Sequence, residues 1–155
     1  MRKRKPKLRI TPPDPRYGDP LITQFVNNMM MEGKKSGAFK IFYDAMDIVK
    51  KRSNGDEYAM FKKALNNVMP QVEVRSKRIG GATFQIPIEV RPKRKLSIGI
   101  KWMIGFARKR SGKGMAEKLA AEILAAHKGE GAAVKRKEDT HKMAESNRAF
   151  AHFRV

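Results

Sequence analysis

The sequence predicts a mainly α-helical single domain of about six helices, with one protruding β-hairpin and an extended basic N-terminal arm. Three observations carry this expectation. Apolar residues recur at spacings of three and four in six separate stretches, as amphipathic helices require. A single stretch, VEVRSKRIGGATFQIPIEV at Val72–Val90, alternates around two glycines, as a hairpin does. The charge is also unevenly spread. The chain has 155 residues and a net charge of +20. Residues 1–16 hold seven basic groups against one acid, and residues 75–113 hold twelve against one. The remaining stretches are near balance. The length suits one domain with a real core, expected over residues 19–155 with the hairpin at about 72–90, behind an arm at 1–18.

The elements follow in order. Pro6, Pro12, Pro13 and Pro15 keep the arm from forming a regular element. Asp19 caps a first helix that Pro20 opens and Gly33 stops, with Leu21, Ile22, Phe25, Val26, Met29 and Met30 as its apolar stripe. Ser36 is the expected cap of a second helix running to about Lys51, with Ala38, Phe42, Ala45, Met46 and Val49 facing inward. Asp56 caps a third, which carries Tyr58, Phe61, Ala64, Leu65 and Val68 and ends before Pro70. Pro92 opens a fourth with Leu96, Ile100, Met103, Ile104 and Ala107, weakened at Gly99 and Gly105. A fifth spans Met115 to about His127 on Leu119, Ala120, Ile123 and Leu124. A sixth spans about Ala132 to Phe150 on Val134, Met143 and Ala144.

The hairpin register is a choice between two. A two-residue turn at Gly80-Gly81 pairs Arg75 with Ile86 and Lys77 with Phe84, mixing charge and hydrocarbon on both faces. A three-residue loop Ile79-Gly80-Gly81 sets Val72 against Ile88 and Val74 against Ile86, with Arg75 against Gln85 and Lys77 against Thr83 on the other face. A single buried face would select the second register. Pro87 has no amide proton, so its strand is expected to be exposed on that side.

Clustered Lys and Arg point to phosphate, because they neutralise backbone charge and release counterions. A solvated surface is the plain alternative for any one charge run. Two dense blocks on extended elements favour nucleic acid, since arms and ribbons enter grooves that a compact body does not reach. Scattered phosphate contact suits folded RNA recognised by shape. A DNA-compacting protein or RNA chaperone is the runner-up, and an RNA-modifying enzyme the third possibility. RSGKG fails as a phosphate loop, because six residues rather than four separate Gly105 from Gly112 and Gly114 replaces the hydroxyl residue. His127, His141 and His152 are too scattered for a zinc pair. Trp102 at helical spacing reads as packing, and the methionines of NNMMMEG as core filling. The absence of cysteine excludes disulfides and thiolate sites. The run IGIKWMIGFA is too short to span a bilayer, and MRKRKPKLRITPP has no apolar stretch to serve as a secretory signal. A soluble cytosolic protein is expected.

The segment PQVEVRSKRIGGATFQIPIEVRP closely resembles the hairpin of the family of small-subunit ribosomal protein seven. Asp19, Leu21, Phe25-Val26, Gly33-Lys34-Lys35, Ile41-Phe42 and Ala45 fall at that family's signature spacings. ARKRSGKGMAEKLAAEI and GAAVKRKEDTHKMAESNRAFAHFR resemble its later helices. The likeness covers essentially the whole chain. It implies six helices with a protruding hairpin, no catalysis, and no metal, cofactor or membrane. It implies a structural role in the cytoplasmic small ribosomal subunit, bound to the 3′ major domain of its rRNA early in head assembly. The rRNA-binding residues are then Arg2, Lys3, Arg4, Lys5, Lys7 and Arg9 of the arm, Lys34 and Lys35, Arg75, the cluster Arg91, Lys93, Arg94 and Lys95, and the cluster Arg108, Lys109, Arg110 and Lys113. The hairpin tip, Lys77, Arg78, Ile79, Gly80, Gly81 and Ala82, is implied to lie near the exit-site tRNA and the mRNA path. Lys142 and Arg148 of the last helix are implied to face the same tRNA, close to protein eleven of the small subunit. Some members run on beyond the equivalent of Val155, so the contacts of a longer tail are not expected here.

Overall fold

The computed structural model describes residue 4, residues 9–53 and residues 55–153. Six α-helices and one hairpin follow in the order α1 (Pro20–Met29), α2 (Lys35–Ser53), α3 (Glu57–Val68), β1 (Val72–Ile79), β2 (Ala82–Glu89), α4 (Pro92–Lys109), α5 (Met115–His127) and α6 (Ala132–Ser146). A 3₁₀ helix, Arg148–Phe153, closes the described chain. Of the expected arm, Arg4 and Arg9 are exposed, while Arg2, Lys3, Lys5 and Lys7 lie outside the described residues.

The apolar stripes meet as their periodicity requires. Phe25, Phe42 and Phe61 have no exposed surface. Their ring centroids lie 5.2, 5.4 and 5.5 Å apart, in edge-on and tilted pairs that lock α1, α2 and α3 together. α5 runs through the middle, packed by α2, α3, α4 and α6. Its alanines allow close approach on several sides, and Leu119 and Ile123 are wholly buried. Gly99 on α4 serves packing rather than weakening the helix. A Cβ there would sit 2.8 Å from Met69 Cγ, so only glycine lets α4 come this near the end of α3.

Caps set some boundaries as the sequence implied. Asp19 accepts from the Leu21 N–H at 2.8 Å, and Asp56 from the Tyr58 N–H at 2.9 Å. Ser36 is not a cap: α2 starts one residue earlier, at Lys35, with Ser36 inside its first turn. α1 ends at Met29, ahead of Gly33, because Met30 already leaves the helical region at ψ 138°; Glu32 and Gly33 then follow in the left-handed region, with φ 53° and 75°. α6 also stops short of Phe150. Ser146 and Asn147 turn their side chains onto the carbonyls of Lys142 and Met143 at 2.9 and 2.7 Å, and the backbone tightens into the 3₁₀ helix. Met143 is not a core residue; it is 44% exposed.

Ahead of α1 the chain is pinned. Asp14 is buried and accepts from the N–H groups of Arg16 and Tyr17, both at 3.0 Å, and from the Tyr43 hydroxyl at 2.6 Å. Residues 14–18 therefore form a fixed turn against α2, not an extended chain. Burial pushes the Tyr43 hydroxyl up to about 12, with the Asp14 hydrogen bond and charge acting the same way.

The hairpin adopts the first of the two registers, the one that mixes charge and hydrocarbon. Arg75 lies opposite Ile86, Lys77 opposite Phe84 and Val72 opposite Glu89. Gly80 and Gly81 have φ 56° and 93°, as a two-residue turn with two left-handed residues requires, and such a turn matches the twist of the strands. The single buried face that would favour the other register does not exist. Ile86 and Pro87 point to opposite faces, and both are buried where α6 and the 3₁₀ helix grip the base. Pro87 is therefore not on an exposed side, contrary to the expectation. Phe84 meets Phe150 of the 3₁₀ helix with centroids 5.1 Å apart.

A charged group anchors α6. Glu122 of α5 has no exposed surface. One carboxylate oxygen takes the Arg110 guanidinium in a short ion pair, and the other accepts the Ala133 N–H at 3.0 Å in the first turn of α6. Replacing Glu122 by Ala should destabilise the fold by about 3 kcal/mol, read as a shift in the urea midpoint, because the guanidinium and the amide lose their acceptor together.

Candidate nucleic-acid interface

The basic residues singled out by sequence fall on three sites. The first is the hairpin. Arg75 and Lys77 share one face of β1 and Arg78 lies on the other; all three are exposed. Gly80, Gly81 and Ala82 are exposed at the tip, and Ile79 is half-buried.

The second is the start of α4. Arg91 is its N-cap residue, Pro92 opens it, and Lys93, Arg94 and Lys95 fill its first turn without an acid. Cations there oppose the positive end of the helix dipole. The free N–H groups and the side chains together form a strongly positive surface, which an anion would relieve. Part of that relief is internal. Arg94 grips both carboxylate oxygens of Glu73, with its Nε at 2.8 and 2.9 Å and Nη2 at 2.7 Å. Arg75 Nε lies 3.7 Å from the same carboxylate. Arg75, Arg91 and Arg94 thus line one cleft of about 410 Å³ between the hairpin base and α4, with Glu73 and Glu89 in its wall. Three guanidiniums against two carboxylates leave it cationic.

The third is the far end of α4, about 27 Å away at 1.5 Å per residue. Arg108, Lys109 and Lys113 are exposed there. Arg108 donates to the Met29 carbonyl at 2.9 Å. Arg110 stands apart from its neighbours, since Glu122 already pairs with it. Lys34 and Lys35, distant in sequence, come to this same end, and Lys34 and Arg108 flank one groove. Lys34 also pairs with Glu32 at 2.7 Å, an exposed contact of little energy.

Lys142 and Arg148 are not brought together. Lys142 borders a groove at the α5–α6 turn with Glu138 and Asp139, and Arg148 borders one beside the hairpin base. Trp102 is half-buried against the core, as its helical spacing implied. The reading of the methionine run as core filling holds for Met29, which is 5% exposed, but not for Met31, which is 63% exposed. The groove beside them escaped the sequence because four separate helices build it. Among the described residues no group of three or more His, Cys, Asp or Glu could hold a metal, and no helix is long and apolar enough to cross a membrane.

One further contact holds the interface in place. The Gln71 N–H donates to His141 Nε2 at 3.0 Å, joining the entry of the hairpin to α6. Burial, with Lys137 adding to it, holds this imidazole below its ordinary value of 6.5. The neutral ring is the acceptor, so its contribution is complete above 6.5 and is lost as pH falls through the lower folded value. Unfolding titrations from pH 7.5 to 4.5 should therefore show a steeper acid loss for the wild type than for His141→Gln.

A family model described as "Ribosomal protein S7p/S5e" matches residues 1–148. The chain is 61% identical to the small ribosomal subunit protein uS7 of Flavobacterium psychrophilum, over 99% of each chain. It is 62% identical to that of Porphyromonas gingivalis W83, again over 99% of each, and 57% to that of Amoebophilus asiaticus, over the full length of both.

Proposed function

The chain belongs to the ribosomal protein S7p/S5e family and is a structural, non-enzymatic component of the small ribosomal subunit in the cytoplasm, and from that premise we propose that it binds the 3′ major domain of the small-subunit rRNA and helps nucleate the head. The observation that carries this reading is α4, a helix with dense cationic clusters at both ends and no acid in its first turn. Arg91, Lys93, Arg94 and Lys95 take phosphates at one end. Arg108, Lys109 and Lys113 take them at the other, with Arg110 contributing N–H groups that Glu122 leaves free. Two anchors about 27 Å apart fix the orientation of a rigid body on RNA. Lys34 and Lys35 extend the second anchor, Arg75 extends the first, and Arg2, Lys3, Arg4, Lys5, Lys7 and Arg9 add sequence-independent contacts.

The hairpin does a separate task in this proposal. Its base is held by α6 and the 3₁₀ helix, so the tip from Lys77 to Ala82 reaches toward the exit-site tRNA and the mRNA path. Lys142 and Arg148 approach the same tRNA, beside protein eleven of the small subunit. The mechanism is positional, and no bond is made or broken.

Binding to a transcript of the 3′ major domain, titrated at several salt concentrations, tests the anchors. Replacing Lys93 and Lys109 by Ala should lower the magnitude of the log–log salt slope by about two, one for each phosphate no longer neutralised. An unchanged slope, or equal affinity for duplex DNA at 200 mM salt, would overturn the assignment of the two ends of α4 as the rRNA anchors. Replacing Lys77 and Arg78 by Ala should spare subunit assembly and shorten tRNA retention in the exit site, measured by filter binding. Failed assembly with that variant would sink the division of labour.

A further inference from the structure

Ser111 stands apart from the other serines of the chain. Of the six, all among the described residues, it alone lies outside a helix or strand. It sits in the loop between α4 and α5 and is exposed, as are Gly112, Lys113 and Gly114 after it. Arg108, Lys109 and Arg110 precede it directly. The loop is held on either side of the hydroxyl. Arg110 is tied to Glu122 of α5. Gly112 lies so near α5 that a Cβ there would be 3.2 Å from Lys118 Cγ. Ser111 is thus presented to water from a loop fixed at two neighbouring residues.

The anchor made by Arg108, Lys109 and Lys113 needs cations, and a hydroxyl adds no charge to it. Three cations just ahead of an exposed serine do suit an arginine-directed protein kinase, whose acidic cleft pairs with them along an extended substrate. The other serines each lack a part of this. Ser97 follows Lys93, Arg94 and Lys95, but it is half-buried within α4 and would have to give up backbone hydrogen bonds to reach a cleft. Ser76 is paired with Gln85 in the hairpin and has Glu73 three residues before it. Ser36 lies inside the first turn of α2. Ser53 and Ser146 give their hydroxyls to the carbonyls of Val49 and Lys142.

We propose that Ser111 is a regulatory phosphorylation site, where an ATP-dependent, arginine-directed serine kinase modifies the free chain and removes the α4–α5 anchor from use. Ser111 Oγ bonds to the γ-phosphorus of ATP and the bond from that phosphorus to the β–γ bridging oxygen breaks. ADP leaves, and the hydroxyl proton passes to a base of the kinase. The phosphate carries a charge of about −2 and three strong acceptors. Lys109 and Lys113 lie two residues to either side, and Glu117 in the first turn of α5 is the nearest acid in sequence. The phosphate therefore pairs with the lysines that would otherwise meet RNA. RNA on the anchor in turn covers the loop, so the bound chain is closed to the kinase. The modification follows from the loop itself; its effect on assembly rests on the rRNA-binding reading above.

The full-length chain, incubated with ATP and the catalytic subunit of an arginine-directed serine kinase, should take up phosphate that Ser111→Ala does not. Ser111→Gly serves as the same control if Ser111→Ala does not fold. The thermal midpoint should be unchanged by the phosphate, because the site is on the surface. On a transcript of the 3′ major domain, the modified chain should bind about tenfold more weakly, with a log–log salt slope lower in magnitude by about two, one for each lysine already paired. A chain bound to the transcript beforehand should be modified about tenfold more slowly. In the chain recovered from its own cells, phosphate on Ser111 should be found in the unassembled pool and be missing from intact subunits. Equal uptake by the control variant, unchanged affinity and slope after modification, or phosphate in neither cellular pool or equally in both would overturn the inference. An unmodified chain without preference for the transcript, seen before any kinase is added, would instead overturn the rRNA-binding reading.

Discussion

Glu122 holds a charge where no water reaches, and the placement of the C-terminal third of the molecule follows from how that charge is met. Arg110, just past the end of α4, supplies the counterion, and the Ala133 N–H supplies the second donor. A buried carboxylate is tolerated only with both oxygens engaged. Satisfying it brings the exit of α4, the middle of α5 and the start of α6 to one point. α6 is thereby aimed along the hairpin base, where His141 takes the Gln71 N–H. Glu122 thus helps to fix where α6 begins, and α6, together with the 3₁₀ helix, supports the hairpin.

The same chain must also contain its own repulsion. Neighbouring cations on the hairpin and at the start of α4 disfavour the folded state. The fold answers with a small number of well-placed acids. Glu73 serves Arg94 and Arg75 at the hairpin base, Glu122 serves Arg110, and Asp47 takes Arg16 at 2.7 Å. These pairs sit where the elements join. Arg78 at the hairpin tip and Lys93 and Lys109 near the ends of α4 are exposed. The division is physically sensible: compensation where the body must hold together, and excess charge where a polyanion can lie against it.

Much of this was legible in the residues. The three- and four-residue spacings of Phe25, Phe42 and Phe61 with their neighbours identified the buried faces of three helices, because a stripe on a helix has only one direction in which to escape water. Asp19 and Asp56 marked helix starts, since a short carboxylate before the first turn bonds the free amides locally. Local rules failed where a neighbour far along the chain set the outcome. Ser36 has capping chemistry, yet the left-handed pair Glu32-Gly33 had already turned the chain into α2. Arg110 reads as one more surface cation until Glu122, twelve residues on, is seen to require it.

The residue pattern alone determined a helical domain, the existence and place of its hairpin, and the two blocks of excess positive charge, because each depends on side chains close together in sequence. Tertiary packing decided the hairpin register, because burial on both sides of the base removed the one-faced preference that alternation implies. It also decided which arginines are already paired, and it drew Lys34 to Arg108 around a methionine groove. Those outcomes depend on distances between residues tens of positions apart, and spacing along a chain carries no measure of such distances until the core has closed.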